Sequence, residues 1–142
     1  MSDETTTTVC VKHHFISSPE RVFDAWLDPE KARRFLFASA TGQMVRAEID
    51  PRVGGRFTFT DRRDGEDVIH TGEYLEIDRP RRLVFSFVVP KYSSLVTQVT
   101  IEIVPLDSGC ELTLTHEGVL PEYAERGVEG WSGILAGLAA IA

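Results

Sequence analysis

Hydrophobic positions along the chain switch between two spacings, that of a strand and that of a helix. From Val9 to Ile16, β-branched and polar residues roughly alternate, which predicts a strand. Ser18 then stands where a helix N-cap is needed, Pro19 occupies the first helical position, and Val22, Phe23, Trp26 and Leu27 recur at helical spacing. Asp28-Pro29 repeats the same cap chemistry, so a second short helix is expected from about Pro29 to Phe35, packing Ala32, Phe35 and Leu36. The two helices form an elbow.

From Gly42 onward the period falls to two, and turn residues arrive at regular intervals. Strands are expected at Met44 to Ile49, Arg56 to Asp61, Val68 to Ile77, Leu83 to Val89, Leu95 to Val104 and Cys110 to Glu117. Asp50-Pro51, Gly54-Gly55, Asp64-Gly65, Asp78-Arg79-Pro80, Pro90 and Asp107-Ser108-Gly109 separate or end them. In the last hairpin a four-residue loop, Leu106 to Gly109, sets Ile103 opposite Leu112, Ile101 opposite Leu114 and Val99 opposite His116. All the apolar residues of the pair then share one face, whereas a loop one residue shorter would set the isoleucines against Glu and Thr.

The final segment, Pro121 to Ala142, returns to helical spacing. Tyr123, Gly127, Val128, Trp131, Ile134, Leu135, Leu138 and Ile141 fall on one broad face, with Glu122, Glu125 and Glu129 opposite. Gly127, Gly130, Gly133 and Gly137 interrupt it, each costing about 0.8–1 kcal/mol against Ala in a helix interior. Close approach to the sheet and space left for a ligand are the two ways to offset that cost.

One strand, two short helices, six strands and one long helix amount to an α+β domain. At 142 residues, 42% hydrophobic and 26% charged, a single domain over 9–142 is expected, preceded by a disordered start over 1–8. That start is acidic and hydroxyl-rich, without the basic flank and apolar run of a secretory leader. No stretch reaches the about 18 consecutive apolar residues that span a bilayer. With 15 Lys and Arg against 22 Asp and Glu, a net charge of −7 repels phosphate backbones, so nucleic acid is not an expected partner. The expected location is the cytoplasm, with Cys10 and Cys110 as free thiols.

The ordered set Ser18-Pro19-Glu20-Arg21-Val22-Phe23-Asp24-Ala25-Trp26-Leu27-Asp28-Pro29-Glu30, Gly54-Gly55-Arg56-Phe57, Gly72-Glu73-Tyr74-Leu75-Glu76-Ile77-Asp78, Leu112-Thr113-Leu114-Thr115-His116-Glu117-Gly118 and Gly130-Trp131 resembles one family. It is similar to the bacterial branch of the family named after the activator of the ninety-kilodalton heat-shock-protein ATPase, within the START-like or SRPBCC superfamily. The resemblance runs from about Val9 to Ala142. It implies a helix-grip fold like that of the birch pollen allergen: a curved seven-stranded antiparallel sheet in the order 1-7-6-5-4-3-2 around the long C-terminal helix, with an apolar cavity between them. In that order Cys10 and Cys110 lie about 20 Å apart, six residues along paired strands, beyond the reach of a disulfide.

Such a fold hosts carriers, receptors, cyclases and co-chaperone domains alike. The leading expectation is non-catalytic binding of an apolar or aromatic small molecule, with a stress-related role. Trp26, Phe57, Phe59, Tyr74, Phe85, Phe87, Val99, Ile101, Leu114, His116, Trp131 and Leu135 are the expected cavity lining. Two alternatives stand beside it: a cyclase- or dehydratase-like enzyme exchanging protons through His116 and Tyr74, and a module acting on a chaperone. A monomer or homodimer is expected, with no cofactor and no membrane insertion.

The remaining chemistry-bearing residues point elsewhere. His13 and His14 face opposite ways on a strand, His70 and His116 stand alone, and no HxH or HExxH spacing occurs, so no metal is expected. Neither cysteine sits in a CxxC pair or a basic cluster that would activate it. Glu117 should point away from the cavity because it alternates with His116, while one of Glu73 and Glu76 should share the face opposite Tyr74. Arg62, Arg63, Arg79, Arg81 and Arg82 fall at turns of an acidic protein and read as solvated charges.

Overall fold

The computed structural model describes residues 6–36, 42–92 and 94–142. Seven strands form one antiparallel sheet: β1 (Thr7–Phe15), β2 (Gln43–Ile49), β3 (Arg56–Arg63), β4 (Glu66–Asp78), β5 (Arg82–Phe87), β6 (Thr97–Pro105) and β7 (Cys110–Val119). Their order is β1-β7-β6-β5-β4-β3-β2, with α1 (Pro19–Ala25), α2 (Pro29–Phe35) and the long α3 (Pro121–Ile141) completing a helix-grip fold.

The local chemistry explains the elements. Ser18 accepts the Arg21 amide at 3.2 Å and Asp28 accepts the Glu30 amide at 3.0 Å, so each short helix starts on its own cap followed by proline. Asp64 and Gly65 both adopt positive φ, 51° and 79°, in the tight turn that returns β3 into β4. A Cβ on Gly72 would run into the Ser86 carbonyl, so only glycine lets β4 pass β5 there. The β6–β7 register pairs Ile103 with Leu112, Ile101 with Leu114 and Val99 with His116, around a loop of residues 106–109, as the facing apolar residues require.

Several boundaries differ from expectation. β1 begins at Thr7 because Thr7 pairs with Val119 across a bulge; the first five residues of the expected disordered start lie outside the described residues. β3 and β4 run further, to Arg63 and from Glu66, so their turn is only two residues long. β5 stops at Phe87 and β6 starts at Thr97, which takes Val88, Val89, Leu95 and Val96 out of the named strands. Val88 still exchanges backbone hydrogen bonds with Thr71, but Pro90, lacking an N–H, ends the pairing.

The core gathers Phe15, Val22, Phe23, Trp26 and Phe35 against Phe57, Phe59, Tyr74, Phe85, Val99, Ile101 and Leu114. α3 lies over β1, the edge strand, and buries Trp131, Leu135 and Leu138. Val128, expected on the buried face, is 43% exposed. Arg79 clamps Asp24 of α1 through two bonds of 2.7 and 2.8 Å, holding the elbow to the β4–β5 turn.

Candidate functional site

β7 brings His116 to the inner face, and α3 places Trp131 above it. The Trp131 indole Nε1–H donates to His116 Nδ1 at 3.0 Å. An indole nitrogen can only donate, so Nδ1 is the unprotonated nitrogen and the ring proton resides on Nε2. His116 Nε2 therefore donates to Thr97 Oγ1 at 2.6 Å, and the threonine hydroxyl passes its own proton to the Phe87 carbonyl at 2.8 Å. Each member of this chain has a partner in the right sense. Burial holds the His116 imidazole neutral, down at about 4 from its ordinary 6.5.

Phe87 is the centre of a ring cluster, with His70 stacked at 6.2 Å, His116 edge-on at 5.6 Å and Trp131 edge-on at 5.8 Å between centroids. His70 Nδ1 donates to the Phe59 carbonyl at 3.4 Å. Burial, with the nearby Arg63 charge, lowers its pKa to about 4 as well.

Beside this cluster opens a cavity of about 520 Å³. Its walls come from Arg63 at the end of β3, His70 of β4, Phe87 at the end of β5 with Val88, Val89, Tyr92 and Leu95 after it, Thr97 at the start of β6, His116 and Val119 of β7, and α3 as far as Ile134. They are mostly apolar, with Val88, Val89, Leu95, Val119, Leu120 and Ile134 among the rings. Gly127 and Gly130 border it, and a Cβ on Gly130 would meet nothing within 4 Å, so part of the helix's glycine content leaves room at this wall. Gly137 has a different setting: a Cβ there would stand 3.4 Å from Phe35 Cβ, so α2 packs close to it.

Of the twelve side chains expected to line a cavity, Phe87, His116 and Trp131 line this one. Phe59, Val99, Ile101, Leu114 and Leu135 lie buried in the core instead. Trp26, Phe57, Tyr74 and Phe85 surround, with Leu36 and Leu83, a void of only about 10 Å³. The reason is the elbow: Trp26 and Leu36 fill the hollow of the sheet that these aromatics face, and the open space lies at the other end. Tyr74 and His116 thus belong to different sites, so the pair required for cyclase-like proton exchange is not brought together.

Arg63, His70, Tyr92, Tyr123 and Arg126 line the cavity and were not among the expected lining residues; Arg63, expected as a solvated turn charge, instead faces the cavity beside the buried Asp61. A signal existed for the first two. Phe57, Phe59, Asp61 and Arg63 share one phase of β3, and His70 pairs with Phe59 from β4, so the inward face continues past its aromatics into charged residues. Asp61 is fully buried and accepts the Arg63 Nε–H at 2.7 Å. The remaining turn arginines are paired at the surface: Arg62 with Asp67, Arg81 with Asp78, and Arg82 with Glu76 and Glu102. Glu76 thus belongs to the surface network, and Glu73 lies 3.8 Å from Arg56. No group of three or more metal-ligating side chains occurs among the described residues.

Residues 17–142 match the model of the family described as Activator of Hsp90 ATPase homolog 1-like protein. Among solved structures, protein CV1439 of Chromobacterium violaceum superposes with a TM-score of 0.87 at 27% identity, covering 94% of this chain and 95% of its own. Protein Mll3558 of Rhizobium loti gives 0.80 at 28% identity, covering 96% of each chain. An AHSA1-like protein of Aeromonas hydrophila shares the fold with a TM-score of 0.79 at 24% identity, over 94% of this chain and 90% of its own. No curated protein matches the chain.

Proposed function

The chain belongs to the Activator of Hsp90 ATPase homolog 1-like family, and from that premise we propose that it is a non-catalytic binding protein for an apolar or aromatic small molecule, held between the sheet and α3. The cavity of about 520 Å³ with its apolar and aromatic wall carries this reading. Its volume falls within the range of small-molecule sites, which are lined mainly by apolar groups with a few placed polar ones. The state of the polar groups supports binding over turnover. Both nitrogens of His116 are engaged, and its imidazole is held neutral down to about 4. Tyr74 lies in the core, where burial pushes its phenol up, away from proton exchange near neutral pH.

Native mass spectrometry of freshly purified protein tests the reading. The expected result is a non-covalent adduct of small-molecule mass that disappears on denaturation. Adduct-free protein whose melting temperature is unmoved by every member of a lipid and aromatic library contradicts it.

A further inference from the structure

The cavity has a charge as well as a shape. Two guanidinium groups, Arg63 and Arg126, lie on its wall, and among the described residues no carboxylate does, although the chain carries 22 acids against 15 bases. The two arginines differ in their surroundings. Arg63 is bound through Nε to the buried Asp61, which offsets its charge. Arg126 is exposed on α3, three residues after Tyr123 and four before Gly130, both of which also line the cavity. Glu122 and Glu129 stand one turn before and one turn after it, the spacings at which a helix normally forms ion pairs. Among the described residues Arg126 pairs with neither and lies instead against the cavity. Of the two guanidinium groups on the wall, that of Arg126 is thus the one no bonded carboxylate among the described residues offsets, and it stands beside an apolar interior.

We infer that the preferred occupant is an apolar monoanion, its hydrocarbon or aromatic body against Phe87, Trp131 and Ile134 and its carboxylate-like or sulfonate-like group at Arg126. This rests on the binding reading above and adds a ligand class to it. A guanidinium at the edge of an apolar space suits such a molecule because it supplies several N–H donors to an oxyanion while the body escapes water. The acidic remainder of the surface disfavours polyanions, whose further charges would find no partner.

Two probes with one aromatic body separate charge from shape: anilinonaphthalene sulfonate and its uncharged parent, N-phenylnaphthylamine. Fluorescence titration of the wild-type protein should show the sulfonate binding about tenfold more tightly, equivalent to about 1.4 kcal/mol. Arg126→Gln should remove most of that preference while holding the neutral probe within about twofold of wild type, and Arg126→Lys should restore part of it. An unchanged melting temperature for both variants, expected for an exposed side chain, confirms that the fold is kept. Equal affinity for the two probes in wild type, or a preference that survives Arg126→Gln, overturns the charge inference and leaves the cavity reading standing, since the neutral probe still binds. Failure of both probes to bind overturns both.

Discussion

The indole N–H of Trp131 and Nδ1 of His116 meet at 3.0 Å, linking α3 to β7 at the cavity wall and fixing which imidazole nitrogen carries the proton. A protonated His116 would bear a hydrogen on both nitrogens, one of them aimed at the indole N–H. The link therefore exists only while the ring is neutral.

Stability should consequently fall in mild acid. His116 and His70 are held near 4 in the folded protein against an ordinary value of 6.5. Between those values the unfolded chain binds more protons than the folded one, so stability is complete above about pH 6.5 and declines as pH drops toward about 4. The expected loss is on the order of 1–2 kcal/mol for each histidine by about pH 5. Paired carboxylates such as Asp24, lowered chiefly by its hydrogen bond from Arg79, lose their contribution at lower pH, outside this window. Denaturant titration across the range checks this, and His116→Gln should make the decline shallower. A flat profile from about pH 7 to 5 contradicts it.

Trp131 is 4% exposed and should be among the costliest residues to truncate. Trp131→Ala is expected to lose about 3–5 kcal/mol through the cavity it leaves. Trp131→Phe keeps an aromatic ring but leaves Nδ1 without its donor, and should cost about 1–3 kcal/mol. The informative readout is the His116 titration followed by nuclear magnetic resonance: with the indole donor gone, its pKa should rise toward the ordinary histidine value. An unmoved pKa would show that the hydrogen bond contributes nothing to holding the ring neutral.

The glycines of α3 should divide by position. A Cβ on Gly133, at an exposed site, meets nothing within 4 Å, so Gly133→Ala should stabilise the protein by about 0.8–1 kcal/mol and leave binding unchanged. Gly130→Leu places a large side chain at the cavity wall and should weaken N-phenylnaphthylamine at least tenfold without unfolding the protein. Thermal melts and titration of the probe measure both effects.

The β6–β7 register and the long helix were legible because only one arrangement puts Ile101, Ile103, Leu112 and Leu114 on a common face, and because Trp131, Leu135 and Leu138 recur at helical spacing. The position of the cavity was not. Phe57, Tyr74 and Phe85 share the inward phase of their strands with Phe87, and periodicity assigns all four the same status. What divides them is tertiary: Trp26 from the elbow packs at the first three, while Phe87 faces the open end. Arg63 and His70 were obscured for a related reason, since charged residues beside an Asp-Gly turn resemble solvated ends until β3 is seen to continue to Arg63.

The chain has two tryptophans, one in each environment: Trp131 on the cavity wall and Trp26 in the filled end of the core. Their indole N–H resonances in a proton–nitrogen correlation spectrum test the binding account directly during titration with N-phenylnaphthylamine. The account predicts that the Trp131 signal shifts progressively and saturates while the Trp26 signal stays in place. A Trp131 resonance that stays fixed up to the solubility limit of the probe, or a shift confined to Trp26, contradicts it.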